Sequence, residues 1–241
     1  MSAEQPGAPG SGAPVPVTPH AVVTGVSSGI GRAITRRLLD AGWAVTGLSR
    51  RDPGLPDPSF TWIAADLTDV PTIPGLVETV GRLDAVVHAA GYMTTGHLGD
   101  LDPAALRGML ALHVEAPSAL VDALEARLND GGRIVLVGSR TMTGVAGKSH
   151  YAASKSALAG LTRSWAMELA PRGITCNVVA PGPTDTPMLS DPGRASVPPK
   201  VPALGRLVAP EEIAELVALL VGPHGGSMTG QTLTVCGGAS L

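Results

Sequence analysis

Short apolar runs alternate with segments of helical periodicity along most of this 241-residue chain. Seven of the runs are predicted to be β-strands: His20–Thr24, Trp43–Leu48, Phe60–Ala64, Ala85–His88, Arg133–Val137, Ile174–Val179 and Thr232–Val235. Most of them are continuously apolar, as are strands buried on both faces of a parallel sheet. The pattern predicts a doubly wound, three-layer α/β/α domain with a seven-stranded parallel sheet.

The segments between the strands supply the predicted helices. Helical spacing covers Ile30–Asp40, Ala104–Leu128, Tyr151–Ala170 and Glu211–Leu220. Pro117 is expected to bend the second helix, because proline lacks an N–H and crowds the preceding turn. Between Ser49 and Phe60 three prolines leave no room for a crossover helix, so a loop or single turn is expected. No repeat or linker divides residues 20–241, which are predicted to form one domain.

The first nineteen residues differ from the rest, because they are rich in Pro, Gly and Ala and contain almost no core-forming side chains. Such a stretch cannot bury enough apolar surface to offset its ordering entropy. Residues 1–19 are therefore predicted to be a flexible tail, with a partner-binding arm as the alternative. The tail lacks the basic start and apolar centre of a secretory signal.

Charge, hydropathy and cysteine content indicate which classes of ligand and partner this protein is not expected to bind. The net charge of −3 gives no long-range attraction to nucleic acid or anionic lipid. No apolar run approaches the roughly 20 residues that a bilayer span needs. Cys176 and Cys236 have no CxxC partner and no surrounding metal ligands. They are predicted to be reduced core residues of a cytoplasmic protein, with no metal site.

The first strand runs directly into TGVSSGIG at 24–31, and a predicted helix follows at once. A helix N-terminus presents unpaired N–H groups and a partial positive charge, which suit a pyrophosphate. Glycines let the backbone turn tightly and approach the anion. This favours a Rossmann-type dinucleotide site over a merely structural turn. The candidate cofactor-binding residues here are Gly25, Ser27, Ser28, Gly29, Ile30 and Gly31.

The residues after the second strand predict which nicotinamide cofactor binds. An acidic side chain there would bind the ribose hydroxyls of NAD, whereas this chain has Ser49, Arg50 and Arg51. A hydroxyl and two guanidinium groups are better matched to a 2′-phosphate, so NADP(H) is predicted over NAD(H). The alternative is a solvated pair of surface arginines. Asp66, after the third strand, could accept a hydrogen bond from the adenine amino group.

Tyr151 and Lys155 form the candidate reactive pair. Four residues apart at the start of a helix, they share one face. A tyrosine pKa of about 10 is too high for easy proton exchange at neutral pH, and a nearby lysine cation is expected to lower it. Ser139 follows the strand Arg133–Val137, where sites form in open α/β sheets. Its hydroxyl could hold a substrate carbonyl oxygen.

These motifs resemble those of the classical short-chain dehydrogenase/reductase family over nearly all of Ala21–Leu241. The matching segments are TGVSSGIG at 24–31, DL at 66–67, HAAG at 88–91, Ser139, YAASK at 151–155, NVVAPGPTDT at 177–186 and GQTLTVCGG at 230–238. Each segment is modest alone, but their order and spacing together are specific. The resemblance implies a ketoreductase similar to the 3-oxoacyl-ACP reductases.

The resemblance implies a role for each matching residue. Tyr151 would protonate the carbonyl oxygen as hydride arrives from the nicotinamide, Lys155 would bind the nicotinamide ribose, and Ser139 would polarise the carbonyl. Further residues would contact the cofactor: Leu67, Ala89, Ala90 and Gly91 along its length, and Pro181, Gly182, Thr184 and Thr186 at the nicotinamide end.

Two histidines depart from the family pattern. His88 stands in the fourth-strand motif, where the family usually has Asn. His113 stands where a catalytic Asn normally helps to hold a water that relays protons to the lysine. A neutral imidazole can both donate and accept a hydrogen bond, so His113 is a candidate catalytic residue of that relay. The alternative is a helix histidine with no proton role.

The predicted function is NADPH-dependent reduction of a ketone to a secondary alcohol. The alternatives are an NAD(P)⁺-dependent alcohol dehydrogenase and a catalytically impaired cofactor-sensing protein, which only the change to His113 favours. In the predicted substrate lid, Pro187–Leu204, Arg194 and Lys200 are expected to be solvated. An acidic or phosphopantetheine-bearing substrate is the alternative. The resemblance also implies a homotetramer, with a dimer as the fallback.

Overall fold

The computed structural model describes residues 18–194, 197–198 and 200–241. The flexible tail predicted for residues 1–19 therefore lies outside the described residues, except for Thr18 and Pro19. In the three described ranges, no helix combines the length and the apolar character that crossing a bilayer requires.

Within these ranges, seven parallel strands form one sheet in the order β3-β2-β1-β4-β5-β6-β7. The strands are β1 His20–Thr24, β2 Ala44–Ser49, β3 Phe60–Ala64, β4 Leu83–His88, β5 Leu128–Val137, β6 Thr175–Pro181 and β7 Thr232–Val235. The predicted fold class is confirmed. The strand order reverses between β1 and β4, and in such sheets the ligand crevice lies outside the carboxyl ends at that point.

Several strands extend beyond their apolar runs. β4 begins at Leu83 rather than Ala85, and β5 begins at Leu128 rather than Arg133. The polar residues at these starts are paired: the Asp84 carboxylate accepts hydrogen bonds from His20 N and Asn129 Nδ2, both at 2.8 Å. Because these groups are satisfied, the strands can begin before their side chains become continuously apolar.

Helices cover both faces of the sheet. They are α1 Gly29–Asp40, α2 Ile73–Leu76, α3 Pro103–Leu110, α4 Ala116–Leu124, α5 Ser149–Leu169 and α6 Pro210–Val221. Ile34 of α1 and Ile213 of α6 pack with Val23 and Val87 on one face. The other face carries a second core, to which α2, α4 and α5 contribute. The segment between Ser49 and Phe60 contains no helix, as predicted.

The predicted helix Ala104–Leu128 is interrupted. A π-helical turn at Ala111–Glu115 joins α3 to α4, and the helical segment ends before β5 begins at Leu128. Pro117 cannot donate an amide hydrogen bond, and its ring crowds the carbonyl four residues earlier, that of His113. The wider turn relieves this crowding, so the irregularity precedes Pro117 rather than lying at it. The turn also buries His113 completely.

Candidate active site

A cleft of about 310 Å³ runs along the carboxyl ends of the strands. Nearly all of the candidate site residues line it: Gly25, Ser27, Ser28, Gly29, Ile30, Ser49, Arg50, Arg51, Asp66, Leu67, Ala89, Ala90, Gly91, Ser139, Tyr151, Lys155, Pro181, Gly182, Thr184 and Thr186. Gly31 and His113 are the two candidate residues that do not line the cleft. The fold thus brings together residues from seven separate segments of the sequence.

The glycine turn after β1 leaves backbone groups facing the cleft. Gly25 has a φ of +76°, and a Cβ there would lie 2.8 Å from Ala90 N. A Cβ on Gly31 would collide with the Gly25 carbonyl, so Gly31 allows α1 to pack on the turn rather than lining the cleft itself. Ser28, the N-cap of α1, makes no side-chain capping bond, which leaves amide donors at the helix start for a ligand.

The end of β2 presents two exposed arginines, Arg50 and Arg51, to the cleft. Ser49 is buried beneath them: its hydroxyl donates to Arg51 O at 2.7 Å and accepts from Trp62 Nε1 at 3.2 Å. Ser49 therefore shapes this loop. After the neighbouring strand β3, Asp66 accepts hydrogen bonds from Thr68 N and Thr68 Oγ1, which hold the Asp66 pKa below its usual value.

His88 and Thr24 form a buried network that sequence reasoning did not identify. The Thr24 hydroxyl donates to His88 Nδ1 at 3.0 Å, and His88 Nε2 donates to Leu112 O at 3.1 Å. Thr24 Oγ1 also accepts from Ala89 N and Ala90 N, both at 3.1 Å. Burial lowers the His88 pKa to about 3, so the ring is neutral. It acts as one donor and one acceptor, as an asparagine amide would.

Tyr151 and Ser139 meet at the other end of the cleft, and both are buried. Ser139 Oγ accepts a hydrogen bond from Thr141 N at 3.2 Å and lies 2.8 Å from Thr141 Oγ1. Burial raises the Tyr151 pKa, while a hydrogen bond with Ser139 and the charge of Arg194 lower it less strongly. Arg194, which was expected to be solvated, is thus a cation that acts on the phenol.

Lys155 lies on the same face of α5 as Tyr151, as predicted from their spacing, and is also buried. Its Nζ donates to Val137 O at 2.8 Å, at the carboxyl end of β5. Burial lowers the Lys155 pKa to about 7, because the charged form loses hydration. The lysine charge in turn helps to lower the pKa of His88 and His113.

The hydrogen bonds of His113 differ from those of a proton relay to Lys155. His113 Nε2 accepts from Tyr92 N at 3.3 Å, which leaves Nδ1 to donate to Ser154 Oγ at 2.9 Å. Ser154 Oγ donates in turn to Tyr151 O at 2.9 Å. Burial holds the His113 pKa well below its usual value, so the ring is neutral. Both ring nitrogens are thus engaged with groups other than Lys155.

The substrate lid also differs from expectation. Arg194 was expected to be solvated, but it is 6% exposed and lines the cleft; Lys200 is exposed. Lys148, which sequence reasoning missed, lies three residues before Tyr151 and is 7% exposed. Met188 packs against Tyr151 and forms an apolar wall. No local sequence pattern predicts the burial of a lysine that precedes a helix, so the burial of Lys148 is evident only in the folded chain.

Comparison with known proteins identifies the family. Residues 25–240 match a family model described as Enoyl-(Acyl carrier protein) reductase. The chain is 36% identical over 237 residues to the 3-oxoacyl-(acyl-carrier-protein) reductase of Vibrio harveyi, a match that covers 90% of this chain and 96% of that protein. It is 35% identical over 229 residues to the cyclic-di-GMP-binding biofilm dispersal mediator protein of Escherichia coli K12, with 90% and 94% covered.

A solved structure of a short chain dehydrogenase is also similar to this chain. The crystal structure of a short chain dehydrogenase from Burkholderia cenocepacia J2315 in complex with NADP has a TM-score of 0.84 and 37% identity to this chain. The match covers 92% of this chain and 98% of that one. The chain therefore belongs to the short-chain dehydrogenase/reductase family, as its motifs predict.

Proposed function

We propose that this protein reduces a ketone to a secondary alcohol, with Tyr151 as the general acid. The protein is an NADP-dependent short-chain oxidoreductase. The observation that carries the proposal is the meeting of Tyr151, Ser139 and Lys155 at one end of a cleft whose other end is the glycine turn. An enzyme of this kind needs a cofactor site and a proton donor in one continuous space.

The residues present fit NADP(H). At the turn, a side chain on Gly25 or Gly31 would obstruct the backbone, and the amide donors at the start of α1 suit a pyrophosphate. Arg50 and Arg51 would bind the 2′-phosphate, and the remaining cleft-lining candidates would hold the rest of the cofactor. Bound NADPH supplies the hydride of the reaction.

Tyr151 is suited to donate the proton. Because burial raises its pKa, the phenol is protonated at neutral pH, as a general acid must be. Ser139 Oγ accepts from Thr141 N and, with the Thr141 hydroxyl as the donor in their 2.8 Å contact, keeps its own proton for a substrate oxygen. In the proposed step, Tyr151 and Ser139 donate to the carbonyl oxygen, and the Tyr151 proton moves onto that oxygen as its π bond breaks. Lys155 would use its remaining N–H groups on the nicotinamide ribose.

His113 is proposed to act as a positioning residue. Its ring connects Tyr92 N to Ser154, whose hydroxyl bonds to the backbone of Tyr151. A relay role would instead require a ring nitrogen free to bind the relaying water, and both nitrogens are engaged with protein groups. Replacing His113 with Asn keeps a donor and an acceptor, whereas Ala keeps neither. His113→Asn should retain more activity than His113→Ala, with the same pH–rate profile as the wild type; a profile altered by the Asn variant would contradict positioning.

We also propose a homotetramer, with a dimer as the fallback, acting in the cytoplasm. In tetramers of this family the long helices, here 104–128 and 151–170, would form one interface and the C-terminal strand region another. Each region exposes a large apolar side chain: Met167 of α5 is 73% exposed, and Leu241 is fully exposed. Cys176 and Cys236 are both free and buried, as expected in a reducing compartment. Light scattering should give four subunits or two, and a monomer would contradict the proposal.

NADPH oxidation against a panel of ketones tests the proposed function. Substrate-dependent loss of NADPH absorbance, with the secondary alcohol found by mass spectrometry, is the expected result. Faster turnover of alcohols with NADP⁺ near neutral pH would favour the dehydrogenase alternative. Binding of NADPH without turnover of any ketone or alcohol would favour a cofactor-sensing protein and contradict the proposal.

A further inference from the structure

The charges lining the cleft are strongly unbalanced. Among the described lining residues there is one carboxylate, Asp66, which lies beside Arg50 at the β2–β3 end. The lining cations number seven: Arg50, Arg51, Arg140, Lys148, Lys155, Arg194 and Lys200. Arg50 and Arg51 suit the cofactor, and Lys155 belongs to the reactive pair. The other four have no ligand in the proposed reaction, although the charge of Arg194 also lowers the Tyr151 pKa.

Two of the remaining cations are buried at the Tyr151 end. Arg194 and Lys148 are 6% and 7% exposed, whereas a charged side chain normally keeps its head group in water. Arg194 Nη1 donates to Met188 O at a long 3.4 Å, while its buried Nε has no hydrogen-bond partner among the described residues. Two acidic groups act on Arg194: the Tyr151 phenol, and the Asp191 carboxylate, which is exposed and outside the cleft lining.

These cations also repel one another. Arg194 and Arg140 both lower the pKa of Lys148, in addition to its burial. Lys148 is the N-cap of α5, a helix of 21 residues whose N-terminus carries its own partial positive charge. Buried like charges at a positive helix end destabilise a fold unless an anion neutralises them. Such an arrangement in a cleft is typical of a site that binds an anion.

We propose that the substrate ketone itself carries an oxyanion, a carboxylate or a phosphate, bound by Arg194 and Lys148 beside Tyr151. This inference rests on the proposed reductase function. A guanidinium group matches the two oxygens of a carboxylate or phosphate, and the ammonium group adds a point charge. Anchoring the anion there directs the carbonyl oxygen of the same molecule toward Ser139 and Tyr151. The site therefore selects keto acids or keto phosphates over neutral ketones.

Matched substrate pairs test the charge requirement directly. Pyruvate, acetoacetate and levulinate are each compared with their methyl esters, which keep the ketone but remove the charge. Dihydroxyacetone phosphate is compared with dihydroxyacetone, which separates phosphate from carboxylate as the preferred anion. At least one anionic member should exceed its neutral partner in kcat/KM by about ten- to one-hundredfold, the range for one charge-assisted interaction. Neutral partners that equal or exceed every anionic member would overturn the inference.

Variants assign the preference to the proposed residues. Arg194→Gln and Lys148→Gln should each lower kcat/KM for the preferred anionic ketone about tenfold or more, with a much smaller change for its neutral partner. Arg194→Lys keeps the charge but loses the planar guanidinium group that can bond to two oxygens at once. Its kcat/KM for the anionic ketone should lie between those of the wild type and Arg194→Gln. Arg36→Gln, an exposed arginine outside the cleft, is the matched charge control. Equal losses for charged and neutral substrates, or an effect confined to the KM of NADPH, would overturn the inference.

A binding measurement separates this inference from the proposed function. The enzyme–NADPH complex cannot oxidise a hydroxy acid, so calorimetry with 3-hydroxybutyrate and its methyl ester reports binding without turnover. If carboxylate is the preferred anion, 3-hydroxybutyrate should bind more tightly than its methyl ester, and Arg194→Gln should abolish the difference. If phosphate is preferred, glycerol phosphate is used in place of 3-hydroxybutyrate. Neutral ketones reduced without any charge preference would overturn the anion site alone. Absence of any ketone reduction would overturn the proposed function, and the inference with it.

Discussion

The two ends of the cleft both carry cations, but the fold holds them in different surroundings. Arg50 and Arg51, after β2, are exposed, whereas Lys148 and Arg194, beside Tyr151, are almost completely buried. Exposed guanidinium groups stay hydrated, so their charges destabilise the fold little and attract anions weakly. Buried cations lose that hydration and bind an anion more selectively. Burial, more than the number of charges, therefore distinguishes the two ends.

The largest expected effect separates chemistry from cofactor binding. Tyr151→Phe removes the proton donor but keeps the ring, so kcat should fall about a thousandfold, within the range for a general acid. The Kd for NADPH, measured by fluorescence titration, should stay unchanged, because the glycine turn and Arg50 lie at the other end. Tyr92→Phe, at the other tyrosine of the chain, is the control. A Tyr151→Phe enzyme that keeps a tenth of its turnover would contradict the assigned acid.

The second prediction concerns the exposed arginines at the cofactor end of the cleft. Arg50→Gln combined with Arg51→Gln should lower kcat/KM for NADPH about ten- to one-hundredfold and leave that for NADH unchanged, since NADH has no 2′-phosphate. The preference between a keto acid and its ester should also be unchanged. If NADPH and NADH are affected equally, these arginines do not bind the phosphate.

A third prediction concerns Lys155, whose pKa burial lowers to about 7. In the unfolded chain a lysine titrates near its ordinary value of about 10.4. Between these values the unfolded state binds more protons, so the free energy of unfolding rises with pH. The stability of the wild type minus that of Lys155→Met should increase from pH 7 to 9, by at most about 1.4 kcal/mol per pH unit. Urea unfolding of the ligand-free proteins measures it.

Lys200→Met is the control for this pH dependence, because it removes an exposed lysine instead of a buried one. A stability difference for Lys155→Met that does not change between pH 7 and 9 would show that the Lys155 ammonium group is not destabilised by burial.

The smallest expected effect is that of salt. Between 50 and 500 mM salt, screening should raise the KM of NADPH about threefold, because its phosphate meets exposed arginines. The KM of a keto acid should change less, because buried charges are screened weakly. Steady-state kinetics at both salt concentrations measures the two changes in KM. A larger change for the keto acid than for NADPH would contradict the assignment of exposed cations to the cofactor end and buried cations to the substrate end.

Much of the fold could be predicted because its signals are local. β1, β3 and β7 have the predicted bounds, and the prolines between β2 and β3 exclude a helix as expected. Tyr151 and Lys155 share a helix face because their spacing requires it. In each case the deciding interactions lie within a few residues along the chain.

The remaining features depend on contacts between distant segments. Asp84 lets β4 begin early by bonding to His20 and Asn129, which no local pattern reveals. Pro117 was expected to bend its helix, but the π-helical turn that buries His113 precedes it. Arg194 lies in a polar, proline-rich segment where solvation is the default expectation. Only the folded chain buries it, with its guanidinium group bonded to Met188 O and its charge acting on Tyr151.

Transfer of deuterium from the cofactor tests the central claim most directly. NADPH carrying deuterium at both C4 positions is incubated with the best ketone, and the alcohol is analysed by mass spectrometry. The expected result is one deuterium on the carbinol carbon with the wild type and almost none with Tyr151→Phe in the same time. Alcohol without deuterium, or equal labelling by the two enzymes, would contradict NADPH-dependent ketone reduction with Tyr151 as the acid.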